Sequence, residues 1–305
     1  MTRYLLRRAG HTLIVLIGVV AVTFFLLRLT GDPVALLLPL DATPEAEARL
    51  RTQLGLDAPL IVQFGRYVGA IAQGDFGVSL RYRVPAFELF ARRFSATLEL
   101  VLASIGVAIL VGIPVGVLAA ATRGSPIDTG LMGLALVGQA VPGFYLGLML
   151  ILLVSVQWGL LPSGGRGTLA HLVLPTIALS SYLVALVARM TRSSVLETLG
   201  QDYARTARSK GLSQSRVLFV HALKPALIPV ITLLGLQVGT LFSGAVVTET
   251  VFSWPGIGRL AIEGISARDF PVVQVVVLMT AALFVLTNIV VDAIYALIDP
   301  RIRYG

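Results

Sequence analysis

The chain has 305 residues, of which 56% are hydrophobic and only 13% are charged. Soluble domains carry about 25% charged residues, so this composition excludes an ordinary soluble protein and predicts one that crosses a membrane several times. The net charge of +8 does not indicate a nucleic-acid partner, because basic residues on one side of a bilayer give the same total.

Six segments are long and apolar enough to cross about 30 Å of hydrocarbon as helices. A backbone in lipid must satisfy its own hydrogen bonds, so the predicted fold class is an all-α polytopic membrane protein. We expect one transmembrane domain over residues 1–305. Its predicted spans are 10–29, 97–121, 130–156, 172–190, 226–248 and 272–298.

The first span follows Arg3, Arg7 and Arg8, as the apolar core of a signal peptide would. No cleavage site of the small-x-small type comes soon after it. We therefore interpret the span as an anchor that is not cleaved.

The segment 30–95 carries seven basic and seven acidic residues and is predicted to lie outside the cell membrane. Thr43, Pro44 and Gly55 are start and stop signals for a short helix, and residues 58–74 read as a second one. This helical loop either covers the ends of the spans or helps to receive an outside partner.

Helix breakers and polar side chains lie within two of the spans. Gln139 and Tyr145 flank the break at Pro142 in the third span, and three polar residues of the fifth span recur on one face. A polar face in lipid turns towards a neighbouring helix or towards a transport pathway, and both readings stay open. The candidate pathway-lining residues are Gln139, Pro142, Tyr145, Gln237, Thr240 and Ser243.

Basic residues are concentrated in the segment 189–225, which has seven of them against two acidic residues. The segment 249–271 has two basic and three acidic residues. The bias of Lys and Arg towards the cytoplasmic side predicts that both termini and the loop 191–225 are cytoplasmic.

This loop has the signals of two short helices. Asp202 is a plausible N-cap, Gly211 can take the left-handed conformation that ends a helix, and Ser213 can cap a second helix that runs to about Leu223. Tyr203, Ala204, Ala207 and Gly211 fall on one side, which predicts a ridge of small residues that inserts into a groove of a partner. The alternative is that the charges only hold the loop in the cytoplasm and contact lipid headgroups.

The sequence lacks the motifs of several enzyme classes. It has no phosphate-binding loop of the G-x-x-x-x-G-K-[ST] type and no H-E-x-x-H, and its three histidines lie far apart. Ionisable residues near the middle of the spans, which an ion-coupled carrier would need, are not obvious. We predict that the chain is not an enzyme and holds neither a metal nor a cofactor.

Several stretches of the chain occur in the same order in one family. They are "GDP", "QLGLDAPL", "GDFGVSL", "ATLEL", "GIPVGVLAA", "ARMTRSSVLETLGQDYARTARSKGL", "VHALKPALIPVIT", "ETVFSWPGIGRL", "RDFPVVQ" and "DPRIRYG". With them the chain resembles the permease subunits of ABC importers of the dipeptide/oligopeptide/nickel family. The resemblance implies a type I importer fold in a bacterial cytoplasmic (inner) membrane. It also implies a second permease, two ATP-binding subunits that hold ATP and Mg²⁺, and an extracytoplasmic binding protein.

The loop departs from the family pattern E-A-A-x3-G-x9-I-x-L-P. Gly211 holds the glycine place and Ala207 the second alanine, whereas Arg205 and Thr206 stand where Glu and Ala would be, and Lys224 stands at the proline place. These departures resemble the peptide branch of the family. The residues that the resemblance implies for docking to the ATPase are Asp202, Tyr203, Ala204, Arg205, Ala207, Arg208 and Gly211.

The predicted function is that of a permease subunit that moves dipeptides or oligopeptides inward by alternating access. The same machinery for nickel chelates, glutathione or another small solute is an alternative. A stand-alone channel or ion-coupled carrier is a more distant one.

Overall fold

The computed structural model describes Gly10, residues 14–26, Val34, Leu38, residues 43–53 and residues 55–298. The predicted basic N-terminal residues and both chain termini lie outside the described residues. The described helices are α1 (Ile14–Leu26), α2 (Pro44–Gln53), α3 (Leu60–Ala72), α4 (Ala86–Val107), α5 (Ile113–Ala121), α6 (Pro126–Ala140), α7 (Gly143–Leu150), α8 (Leu169–Leu199), α9 (Asp202–Ser209), α10 (Gln214–Arg216), α11 (Leu223–Val251), α12 (Ile257–Ser266) and α13 (Phe270–Ile298).

Three π-helical segments extend these α-helices. Ala108–Gly112 joins α4 to α5, Ile151–Gln157 follows α7, and Val217–Ala222 joins α10 to α11. A π-helical turn holds one residue more than an α-helical turn, so these segments change the direction in which the following side chains point.

Four helices in the described part of the chain are long and apolar enough to cross a membrane: Ala86–Ala121, Leu169–Leu199, Gln214–Val251 and Phe270–Val291. A fifth crossing is made if Pro126–Ala140 and Gly143–Gln157, which meet at a bend of 99°, are counted as one span. The first predicted span corresponds to α1, a shorter apolar helix, and residues 11–13 and 27–29 of that span are not described.

The bend in the fifth of these crossings lies at Pro142, where the sequence places a helix breaker. Val141 has φ −76° and ψ 123°, the extended backbone that a residue before proline prefers. Pro142 is then the N-cap of α7. The proline therefore ends one helix and begins the next.

The described residues fall into two compact units. One contains the residues up to Ser95 and Gly256–Leu286, and the other contains Ala96–Pro255 and the residues from Thr287 on. The single domain that the sequence predicts stays a prediction.

Helix α8 is the centre of the second unit. Its residues Leu179, Leu183 and Val187 recur at intervals of four and enter one buried cluster with Leu100 of α4 and Leu241 of α11. Glycine allows α5 to lie directly against α8. A Cβ atom at Gly116 would be 2.5 Å from the carbonyl oxygen of Ala188, which is closer than real contacts allow.

Asp269 organises a turn in the first unit. Its carboxylate, which is 1% exposed, accepts hydrogen bonds from Ser79 Oγ at 2.5 Å and from the backbone N–H groups of Leu80 and Arg81 at 3.2 Å each. These bonds tie the segment 79–81 to the residue that precedes α13. Both short helices predicted in the segment 30–95 are confirmed, as α2 and α3.

Candidate functional site

A cavity of about 490 Å³ opens between α7, α8 and α11. Its wall is mainly apolar and contains two large exposed rings, Phe144 and Tyr182. Polar atoms come from Ser181 of α8 and from Gln237 and Thr240 of α11. The Thr240 hydroxyl donates a hydrogen bond to the side-chain oxygen of Gln237. The cavity can therefore hold a small solute that has both apolar and polar groups.

The structure separates the six residues that the sequence proposes for a pathway. Gln237 and Thr240 line this cavity, whereas Ser243 is not among its lining residues and donates to the carbonyl oxygen of Gly239 at 3.4 Å. A helix has 3.6 residues per turn, so a residue six positions after Gln237 is rotated by about 600° around the axis. The side chain of Ser243 therefore points about 120° away from that of Gln237.

The other three residues lie around the bend between α6 and α7. Pro142 caps α7 and Tyr145 is 50% exposed, and neither lines the cavity. Gln139 lines a second cavity instead. Phe144 and Tyr182 were not predicted from the sequence, although the position of Phe144 two residues after the break is a usable signal.

The second cavity has a volume of about 570 Å³ and lies between α6 and α8. Gln139 reaches across it, and its side-chain oxygen accepts a hydrogen bond from Nη1 of Arg189. Arg192, one turn further along α8, also lines this cavity. Its guanidinium donates two hydrogen bonds to the carboxylate of Asp128, at 2.6 and 2.7 Å.

Asp128 is held in place by the start of α6. Asp128 is only 4% exposed, and its carboxylate also accepts a hydrogen bond from the backbone N–H of Gly124 at 3.0 Å. Ser125 caps the helix by accepting from the backbone N–H of Asp128. The sequence Ser-Pro-Ile-Asp is a helix-start pattern, so the position of Asp128 could have been found from the sequence, but its pairing with Arg192 could not.

The charged loop forms the predicted pair of helices. Gly211 has φ +79°, as predicted, and the hydroxyl of Ser213 accepts from the backbone N–H of Arg216 at 3.4 Å. The predicted N-cap is wrong by one residue. Gln201 is the N-cap, and Asp202 is the first residue of α9, where it pairs with Arg205 at 3.4 Å on the surface.

Of the four residues of the predicted ridge, Tyr203 and Gly211 are exposed, whereas the two alanines are not on the surface. Ala204 is 0% and Ala207 is 6% exposed, and they pack with Val217, Leu199 and Leu212 in a small core of the loop itself. Small side chains are needed there because α9 lies close to the following helix. These two alanines are therefore not free to contact a partner, and the docking of the loop stays a prediction.

Other residues of α9 and of the turn after it are open to a partner. Tyr203 is 45% exposed, and the side chain of Arg205 is 76% exposed. Lys210 is also exposed. Arg208 instead binds back to the loop, since its Nη1 donates to the carbonyl oxygen of Leu199 at 3.1 Å. The outer surface of the loop thus carries an exposed tyrosine and two exposed basic side chains, of which Arg205 pairs with Asp202.

The second helix of the pair does not end at Leu223. Helical backbone runs without a break from Gln214 to Val251, through Pro225 and Pro229. The π-helical segment Val217–Ala222 lies just before Pro225. The loop and the cavity wall of α11 consequently share one helix.

The chain matches two family models. Residues 112–304 match the binding-protein-dependent transport system inner membrane component, and residues 1–101 match the N-terminal part of such membrane components.

Several curated proteins are similar to this chain over its whole length. The dipeptide transport system permease protein DppB of Escherichia coli (strain K12) is 44% identical, and the alignment covers 100% of this chain and 99% of that protein. The di/tripeptide transport system permease protein DppB of Pseudomonas aeruginosa (strain UCBPP-PA14) is 46% identical over the same shares. The glutathione transport system permease protein GsiC of Salmonella paratyphi A is 44% identical and is covered completely.

Among solved structures, the fold is similar to that of the MetNI methionine ABC transporter in an inward-facing conformation. The TM-score is 0.57 at 20% identity, and the match covers 70% of this chain and 97% of that one. An amino acid ABC transporter crystallised with histidines gives a TM-score of 0.55 at 17% identity, covering 68% of this chain and 93% of that one. At these identities the likeness concerns the fold.

Proposed function

The chain belongs to the family of binding-protein-dependent transport system inner membrane components, and from this premise we propose that it is the permease through which short peptides are imported at the expense of ATP hydrolysed by partner subunits. Its full-length relatives are named as permeases for dipeptides and tripeptides. The family places it in the inner membrane as a subunit of a larger transporter, and catalysis belongs to the ATPase partners.

The observation that carries this proposal is the single helix Gln214–Val251. It begins in the charged loop, three residues after Gly211, and it supplies Gln237 and Thr240 to the cavity. A movement of the loop is therefore transmitted to the wall of the cavity through continuous helical backbone. This is the connection that an importer powered by an external ATPase requires.

The charged loop is the proposed docking element for the ATPase. Ala204 and Ala207 form its core and give it a fixed shape, while Tyr203 and Arg205 present the contact surface. Closure of two ATPase subunits would move this loop and open the cavity alternately to the two sides of the membrane. A second, homologous permease would complete the pathway, and an extracytoplasmic binding protein would deliver the peptide.

Substitution on the exposed side of α9 tests the docking. We expect Tyr203→Ala with Arg205→Glu to lower peptide uptake and peptide-stimulated ATP hydrolysis by about tenfold or more, because an aromatic anchor and a charge are removed from an interface. Both rates are measured in liposomes that contain the complete transporter. Arg123→Glu, which changes an exposed cation outside the loop, is the matched control and should leave both rates unchanged.

Normal uptake and normal ATP hydrolysis in the double variant would contradict the docking proposal. Ala207→Arg is not a suitable substitute, because Ala207 is buried and the variant would disrupt the loop itself.

Glutathione is the second candidate substrate, favoured by the full-length similarity to a glutathione permease. It is itself a tripeptide, so the same cavity would serve. Competition between labelled dialanine and glutathione for uptake by the complete transporter decides between them. Flux through this chain alone in liposomes, without partner subunits, would favour a channel or an ion-coupled carrier over both.

A further inference from the structure

The two cavities described above lie along one face of α8. Tyr182 lines the first, and Leu186 and Arg189 line the second, at positions i, i+4 and i+7 of the helix. Residues with this spacing share one face. Seven residues of helix correspond to about 10 Å along its axis, so a solute that leaves one cavity along this face reaches the other within the length of an extended dipeptide or tripeptide.

The charges of the two arginines in the second cavity are not equivalent. Arg192 is neutralised by the carboxylate of Asp128, which takes two of its N–H groups. Arg189 makes no ion pair with any residue that the structure describes, and its one hydrogen bond goes to the neutral amide oxygen of Gln139. A guanidinium has five N–H donors in a planar fork, so most of the donors of Arg189 remain available to a ligand.

Arg189 is itself exposed and stands beside apolar side chains. Met132, Leu136, Leu186 and Met190 line the same cavity. A planar carboxylate matches the fork of a guanidinium through two parallel hydrogen bonds. The hydrogen bond that Arg189 donates to Gln139 holds the fork at one place across the cavity.

The two methionines suit a ligand with variable side chains. Methionine is unbranched and flexible, and methionine-lined surfaces bind apolar groups of many shapes. Peptides have different side chains and a common C-terminal carboxylate. A site with one cation and adaptable apolar walls reads the constant group and tolerates the variable ones.

We propose that Arg189, positioned by Gln139, is a carboxylate-binding group of this permease. It receives the C-terminal carboxylate of the transported peptide in the second cavity, on the face of α8 that also lines the first cavity. The assignment depends on the proposed function and adds a ligand contact to it. The phosphate group of an anionic lipid has similar chemistry, so the test separates the two sources.

Binding is measured with the assembled transporter, free of nucleotide, in discs of phosphatidylcholine. The ligands are labelled dialanine and its C-terminal amide, which lacks the carboxylate. We expect Arg189→Gln to raise the dissociation constant of dialanine about tenfold or more, the change expected from losing a charged hydrogen-bonded pair. Arg189→Lys should raise it less, and Arg123→Gln should not change it. The amide should bind the wild type and all three variants equally.

Equal binding of the amide by Arg189→Gln shows that the variant is folded. If that variant fails to assemble, the comparison of dialanine with its amide in Arg189→Lys and in the wild type still decides. The proposal is overturned if dialanine binds as well to the variants as to the wild type, or no better than the amide to the wild type. It is also overturned if phosphatidylglycerol co-purifies with the wild type, is lost in Arg189→Gln, and dialanine binding is unchanged.

The same preparation separates this failure from a failure of the proposed function. With its binding protein and ATP, the wild-type transporter in liposomes should accumulate dialanine. If the wild type accumulates dialanine and the Arg189 variants bind it unchanged, only the proposal of the carboxylate site is contradicted. If the wild type does not accumulate dialanine in the presence of ATP, the proposed function itself is contradicted.

Discussion

At Gly116 the absence of a side chain determines how closely two helices pack. A Cβ atom there would lie 2.5 Å from the carbonyl oxygen of Ala188 and 2.6 Å from Cβ of Thr191. Both neighbours belong to α8, and one of them is backbone that cannot rotate away. The contact therefore has no tolerance for a methyl group.

We predict that Gly116→Ala destabilises the protein by about 1–3 kcal/mol, the usual cost of overpacking a buried contact. The melting temperature of the purified transporter in detergent should fall by about 5 °C. Gly106→Ala is the matched control, because a Cβ atom at Gly106 has no heavy atom within 4 Å. Equal melting temperatures for the two variants would contradict the prediction.

Single residues differ in how far the sequence predicts them. Gly211 was predicted to be left-handed and has φ +79°, since this property depends on the residue type and its neighbours in the chain. The burial of Ala204 and Ala207 was not predicted. Which side of an eight-residue helix faces inward depends on Val217 and Leu212, which arrive from the other side of the turn.

At the scale of the helices, the Asp128–Arg192 pair joins the start of α6 to the last third of α8. The pair is bidentate, and Asp128 is further fixed by Gly124. The side chains of Asp128 and Arg192 are 6% and 29% exposed. Removing one partner would leave the other charge in a partly buried position.

We predict that Asp128→Asn lowers the free energy of unfolding by about 2 kcal/mol. This is less than the 3–5 kcal/mol of a fully buried pair because water reaches Arg192. Denaturant titration of the purified transporter measures the difference. Glu47→Gln is the control, since Glu47 and Arg51 pair on the surface with side chains 50% and 38% exposed, and it should cost less than about 1 kcal/mol. A cost no larger than that of the control would argue against this role of the pair.

The positions of most helices follow from the sequence, because long apolar runs and residues such as Pro142 act locally. The span predicted at 97–121 lies within a helix that begins at Ala86, and its start was placed too late because the first turns are amphipathic and lack the apolar run that marks a span. The π-helical segments were also missed. They depend on how each helix packs. The boundary predicted near Pro225, between the second helix of the loop and the fifth span, lies where the structure has one continuous helix.

For the molecule as a whole, the apolar surface is too large for a protein that works alone in water. The most apolar windows of the four long spans are only 28–44% buried, and the lowest value belongs to Gln214–Val251, the span that carries Gln237 and Thr240. The remaining surface faces lipid or another subunit. The family resemblance of the sequence predicted a membrane subunit of a larger transporter, whereas the proposed substrate rests on the names of relatives.

We predict that a second, homologous permease stabilises this chain. Purified together in the same detergent, the pair should melt at a higher temperature than this chain alone, and the difference should grow with protein concentration, because a partner that binds only the folded state shifts the equilibrium. An unrelated membrane protein added at the same concentration is the control. A melting temperature that is independent of the partner would contradict the heterodimer.

The unbroken helix from Gln214 to Val251 has a mechanical consequence. Val217 packs against Ala204 and Ala207 at one end, and Thr240 faces the cavity about 35 Å further along the axis. A stiff rod of that length that pivots by about 10° at the loop displaces its far end by about 6 Å, roughly the size of one amino-acid side chain. If the proposed docking tilts the loop, this lever arm would convert a small angle there into an opening of molecular dimensions at the cavity.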